Sequence, residues 1–258
     1  MSKYEFTFSN QRMRALYFKE IRSFLSSIIG YVFILIYLIA AGIMHWVAST
    51  DANLLEGTEA DLIPFFNSSP IIFLILIPAI TMRSIAEERR TGTMELLFTR
   101  PISDLKILLA KYFASVTLML IAILPTLIYY YSMTQLALEP ESFDHGATIT
   151  SYLGLILIGS AFVAMGIFTS ALTSSQIVAF ILALFLCWTF MPDIGGLALL
   201  SSYNLMGDFD SVMQYFGMTY HYSSIQRGVI DTKNIIYFIS LIVLFIYAAL
   251  TVVKSLKK

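Results

Sequence analysis

Five stretches of this chain run for 20 residues or more without a Lys, Arg, Asp or Glu, and they constrain its fold more than any other feature. They are residues 23–50, 62–82, 112–138, 145–192 and 234–253, or 28, 21, 27, 48 and 20 residues. One bilayer crossing takes about 20 apolar residues as a helix. Four of the stretches fit one crossing each. The fourth in order is too long for one, and its polar break, Thr173-Ser174-Ser175-Gln176, suits a tight turn between two crossings. The chain therefore reads as an all-α polytopic membrane protein with six transmembrane helices, near 28–48, 64–86, 105–132, 150–172, 177–192 and 234–253. Composition agrees: of 258 residues 58% are apolar and 13% charged, whereas a soluble domain carries about 25% charged residues.

Basic residues set the expected orientation, because they stay on the cytoplasmic side. Lys3, Arg12, Arg14, Lys19 and Arg22 precede the first span, and Arg83, Arg89, Arg90, Arg100, Lys106 and Lys111 flank the second loop. Lys254, Lys257 and Lys258 end the chain, leaving only Arg227 and Lys233 of the 16 basic residues for the other side. Both termini and the second loop are expected in the cytoplasm. The first apolar run is too long for the core of a cleavable leader, so none is expected.

Met13, Leu16, Tyr17, Ile21, Phe24 and Leu25 recur at helical spacing in residues 11–27, with Arg12, Lys19 and Arg22 on other faces. This predicts an amphipathic helix in the membrane interface, its cations near anionic lipid. His45 and Trp46 read as interfacial residues at the outer end of the first span. Pro78 and Pro125 mark expected kinks in the second and third spans. The fourth span carries Gly154, Gly159, Ser160, Ala164, Gly166 and Ser170, a small-residue pattern read as close internal packing. Residues 193–233 mix Tyr203, Phe209, Tyr215, Phe216, Tyr220 and Tyr222 with methionines, which predicts short re-entrant or interfacial helices before the last span. Asp231 is expected to cap that span, and Arg227 to pair with a nearby acid. Arg227, Asp231, Tyr220 and Tyr222 are the outer-gate candidates.

No reaction centre assembles from the sequence. None of the 13 glycines precedes a lysine, so no phosphate-binding GxxxxGK[ST] loop exists, and GxSxG and HExxH are missing too. Cys187 is the single cysteine, read as a core residue, and the three histidines show no metal-binding spacing. No bound cofactor, catalytic residue, metal or nucleic-acid partner is expected. Energy for any uphill transport has to enter through another protein. The place for that contact is the island 83–103, which holds seven charges between two apolar runs. The second span is expected to run on through 84–90, with Glu87 and Arg90 paired at i, i+3. Gly92 breaks it, residues 93–98 form a short helix, Pro101 ends that helix, and Ser103 with Asp104 caps the third span.

The island's Glu87-Glu88-Arg89, Gly92-Thr93, Glu95, Leu96-Leu97 and Pro101-Ile102-Ser103 resemble the cytoplasmic loop of permease subunits in the type-two exporter class of ABC transporters. Ile77-Pro78-Ala79-Ile80-Thr81-Met82-Arg83-Ser84, Gln176-Ile177-Val178-Ala179-Phe180 and Arg227-Gly228-Val229-Ile230-Asp231 extend the resemblance to the gliding-motility permeases of Bacteroidetes. The resemblance implies one permease domain over 1–258, in a bacterial inner membrane, with 87–103 as the coupling loop and 193–233 as the outer segment. It implies a separate cytoplasmic ABC ATPase that binds ATP and Mg, and a second permease copy or related subunit. Glu87, Glu88, Arg89, Gly92, Thr93, Glu95, Leu96 and Leu97 would then be the ATPase-coupling residues, in a chain that exports a substrate and is not itself an enzyme. A non-transporting scaffold for a motility or secretion machine is the second reading.

Overall fold

The computed structural model describes residues 3–50, 52–57, 61–99, 102–137, 143–191 and 215–257, the side chains of 3–10, 97 and 98 excepted. Tyr203, Met206, Phe209 and Met213 of the outer segment, and Arg100 and Pro101 of the island, lie outside the described residues. The described chain is helical: α1 (Lys3–Ser26), α2 (Ile28–Trp46), α3 (Ile63–Thr81), α4 (Ala86–Arg90), α5 (Thr93–Phe98), α6 (Asp104–Ile123), α7 (Leu127–Leu136), α8 (His145–Leu172), α9 (Gln176–Thr189), α10 (Met218–Gln226) and α11 (Thr232–Ser255). Five helical stretches are long and apolar enough to cross a membrane: α2, α3 through α4, α6 through α7, α8 and α11. The chain is thus a multi-pass membrane protein. The predicted span at 177–192 is the 14-residue α9. At 1.5 Å per residue it rises about 21 Å, short of the roughly 30 Å hydrocarbon core.

Helix α8 is the axis of the bundle. It packs most extensively on α11 and α3, and also on α9, α10 and α6. Its small residues make this possible, as expected. A Cβ on Gly159 would collide with the Met119 sulfur of α6, and one on Gly166 with the Thr81 hydroxyl of α3. Without a hydrophobic force between helices in lipid, such close approach is what holds them together. Leu155, Ile158, Phe162, Met165 and Ile167 fill the remaining space, all fully buried. Cys187 of α9 packs against Met165 in the same core.

The structure adds partners at three of the places singled out in the sequence. The apolar residues of α1 do not face the acyl chains alone: Leu16, with Met13 and Tyr17, packs on Ile107 and Ala110 of α6, and the Tyr17 hydroxyl lies 2.8 Å from that of Thr117. A chain that folds back over α6 finds protein on that side before lipid. His45, in the last turn of α2, is buried against protein: its Nδ1 is 2.6 Å from the Ala41 carbonyl and its Nε2 2.7 Å from the Ser68 hydroxyl of α3. A polar ring this deep needs both partners. Pro125 produces a 3₁₀ turn, Leu124–Thr126, between α6 and α7, and the Tyr152 hydroxyl of α8 donates to the Thr126 carbonyl there at 2.9 Å. Helix breaks in membranes persist where a neighbour satisfies the freed backbone in this way.

The packing account predicts that Gly166→Ala lowers stability by about 1–3 kcal/mol, since Thr81 must move while bonded to the Ile77 carbonyl at 2.8 Å. Gly42→Ala, whose Cβ would sit 3.6 Å from the Tyr129 hydroxyl, should leave the unfolding midpoint in detergent unchanged. Equal midpoints for the two variants would contradict the account.

Candidate functional site

The second apolar run stops at a break, and the break builds the site. Helix α3 ends at Thr81, residues 82–85 form a turn, and the chain re-enters helix at Ala86. One hydroxyl holds the turn. Ser170 Oγ of α8 accepts from the amides of Ile85 and Ala86, both at 3.0 Å, and donates to the Met82 carbonyl at 3.0 Å. A serine hydroxyl has one donor and two acceptor sites, and all three are used. The second span does run on through 84–90, but across a turn at 82–85 whose backbone α8 satisfies.

Three charged contacts pin α4 beneath the bundle. Arg83 makes a two-pronged pair with Glu87 at 2.9 and 3.1 Å, so Glu87 is partnered by Arg83 and not by Arg90. Arg89 Nη1 donates to the Ala171 carbonyl at 2.6 Å, at the C-terminal end of α8, where a cation suits the unsatisfied carbonyls and the helix dipole. Lys111 of α6, only 3% exposed, sends its ammonium to Glu88 at 2.7 Å and to Glu20 of α1 at 3.4 Å. The triad ties α1, α4 and α6 at one point. Glu88 thus has an internal partner, and its charge is no argument for an external one.

What is left outward is a compact face. Gly92 takes a positive φ of 71°, the left-handed turn that lets α5 fold back beside α4. The Thr91 hydroxyl lies 3.0 Å from that of Thr93, and Thr91 also donates to the Glu87 carbonyl at 2.9 Å. Met94 of α5 is buried, while Glu95 and Leu96 are exposed, Leu96 at 67%. The Leu97 side chain lies outside the described residues. Thr99 closes α5 by donating its amide to Glu95 and its hydroxyl to Leu96. The structure therefore divides the predicted coupling residues into two sets. Glu87, Glu88 and Arg89 hold the element in place; Gly92, Thr93, Glu95 and Leu96 present a surface.

At the entrance to α6, Ser103 stands at the N-cap but its side chain makes no capping bond, and Asp104 instead pairs with Lys257 Nζ at 2.5 Å. The C-terminal tail occupies the position where the cap was expected.

The four outer-gate candidates stand in different surroundings. Tyr222 is 3% exposed, donates to the Phe66 carbonyl at 2.8 Å and packs over Gly154, which makes it part of the core. Tyr220 is exposed and lies edge-on to Tyr215. Asp231 caps α11 as expected, accepting from the Lys233 amide at 3.0 Å, and that bond holds its carboxyl below the ordinary range. Arg227 Nε donates to the Ser223 carbonyl at 3.2 Å, and neither Asp144 nor Asp231 forms an ion pair with it.

The sequence reading missed Glu20, Lys111 and Ser170. Lys111 left a signal: it shares a helical face with Ile107, Leu108 and Ser115, all buried, and a cation on the apolar side of a helix requires a buried partner. Removing that cation leaves two carboxylates facing each other. Lys111→Met is predicted to cost about 3–5 kcal/mol, read as the unfolding midpoint in detergent, while Lys111→Arg recovers most of it. An unchanged midpoint for Lys111→Met would contradict the triad's role.

Residues 60–257, from the start of α3 to the end of α11, match the family described as ABC-2 family transporter protein. No curated protein matches the chain as a close relative. The matched region contains the α3 break, the α4–α5 element and every helix that packs around α8. The chain belongs to the ABC-2 family of transporter proteins, as a permease subunit.

Proposed function

We propose that the outward face of α4 and α5 is the seat of a separate cytoplasmic ABC ATPase, and that this permease couples ATP hydrolysis there to export of a substrate. One observation carries the reading: an exposed patch of Gly92, Thr93, Glu95 and Leu96 is fixed to three different helices by inward contacts. A loop that only linked two spans would need no such fixing. A displacement of α5 passes through Arg89 to the end of α8, and through Glu88 and Lys111 to α6 and α1. Coupling requires an element of this kind, whose position a partner can bias. ATP and Mg bind on the ATPase.

The same proposal places both termini and α5 in the cytoplasm of a bacterium, with the chain in its inner membrane. The distribution of Lys and Arg supports it. Helix α9, apolar and one turn beyond α8, is the candidate for the sixth crossing, and α1 lies at the inner membrane surface with Arg14, Lys19 and Arg22 exposed. Leu97, next in sequence to Leu96, is assigned to the same seat by the resemblance alone. A second permease copy or a related subunit completes the pathway. The stretches shared with the gliding-motility permeases, among them Arg227-Gly228-Val229-Ile230-Asp231, support a role in that process.

Two variants separate seat from linkage. A chain with Glu95→Arg and Leu96→Asp should insert in the membrane yet lose the ATPase on purification, its affinity falling at least about tenfold, or about 1.4 kcal/mol. Glu88→Gln should keep the ATPase bound while substrate-stimulated ATP hydrolysis in vesicles drops. Undiminished co-purification of the double variant would contradict the seat. A hydrolysis rate indifferent to substrate in the parent complex would favour a scaffold over an exporter.

A further inference from the structure

At the end of the bundle opposite α5, a cavity of about 560 Å³ opens between the start of α3, the start of α8 and the end of α10. Its volume is that of a small-molecule site. The floor is apolar: Leu62, Phe66 and Phe143 line it, exposed by 2%, 1% and 4%. Thr148 and Ser151, also in the wall, spend their hydroxyls on the backbone, Thr148 on Asp144 and Ser151 on Ala147 and Gln226. The wall therefore offers little neutral polarity to a ligand.

The charge is at the rim and carries both signs. Asp144 caps α8, its Oδ1 accepting from the Ala147 amide at 2.8 Å, and Asp61, before the Leu62 N-cap of α3, accepts from the Ile63 amide at 3.2 Å. These bonds fix where the carboxylates stand. Arg227 lines the same cavity from α10, anchored by Nε to the Ser223 carbonyl. The positive φ of Gly228, 83°, turns the chain there, and a Cβ on it would lie 3.6 Å from Ala147. Opposite charges thus line one cavity, yet no ion pair closes Arg227 onto Asp144.

We propose that this cavity binds a small zwitterion. Its ammonium lies against Asp144, its oxyanion against the Arg227 guanidinium, and its apolar part on Leu62, Phe66 and Phe143. Guanidinium suits a planar or tetrahedral oxyanion, and carboxylate suits an N–H cation. A ligand with a single charge would satisfy one side of the rim and leave the other to repel it or stay empty. Two sources share this chemistry: the head of an aminoethyl phospholipid and a free soluble zwitterion. The site is independent of the ATPase seat.

The test uses the full chain in detergent and soluble probes. Glycerophosphoethanolamine should bind saturably, and ethanolamine or inorganic phosphate alone at least tenfold more weakly. Arg227→Gln and Asp144→Asn should each weaken the probe at least tenfold. Asparagine still caps a helix, so α8 is retained in the second variant. Lys233→Gln, outside the cavity, should have no effect. Dihexanoyl phosphatidylethanolamine binding tenfold more tightly than the head alone identifies a lipid as the source; equal affinity identifies a soluble zwitterion. Absence of saturable binding by both probes, or affinities within twofold of the parent in both cavity variants, overturns the proposal.

Discussion

Ser170 holds the turn that interrupts the second apolar run between α3 and α4. Its single hydroxyl satisfies two amides and one carbonyl at the α3 break. Unsatisfied, those groups would cost several kcal/mol each in an apolar setting. With them satisfied, α4 can leave the line of α3, and Arg89 and Glu88 reach Ala171 and Lys111. The exposed face of α4 and α5 rests on α8, which holds its base.

The position of Ser170 depends in turn on how close α8 and α3 approach. Gly166, one turn before Ser170, leaves room for the Thr81 side chain, one residue before Met82. Packing and hydrogen bonding therefore act on one short contact. It also makes α8 the natural recipient of any push on α4, while Lys111 passes the same push to α6 and α1. On the proposed reading, the permease would receive force at a junction of helices tied by hydrogen bonds and ion pairs.

Much of this was legible in the chain. Uncharged runs locate α2, α3, α6, α8 and α11, because charge is excluded from hydrocarbon whatever the tertiary fold. The spacing of Gly159, Gly166 and Ser170 announces close packing, and Gly92 and Asp231 take the turn and cap positions that their side chains suit. Partner choice was less legible. Glu88 reads as a surface charge until Lys111, 23 residues on, is brought beside it. His45 shows no partner until Ser68 faces it, and Asp104 reads as a cap until Lys257 arrives. Local sequence states which groups need partners, and only the packed bundle states which ones they get.

The central claim is that α5 faces the ATPase. The single native cysteine, Cys187, is fully buried, so a cysteine introduced at the surface reacts against a quiet background. With Glu95→Cys in the intact complex, a short thiol-specific crosslinker should join the permease to its nucleotide-hydrolysing subunit. A product confined to lipid, to another permease copy or to a protein on the opposite membrane face would contradict the account.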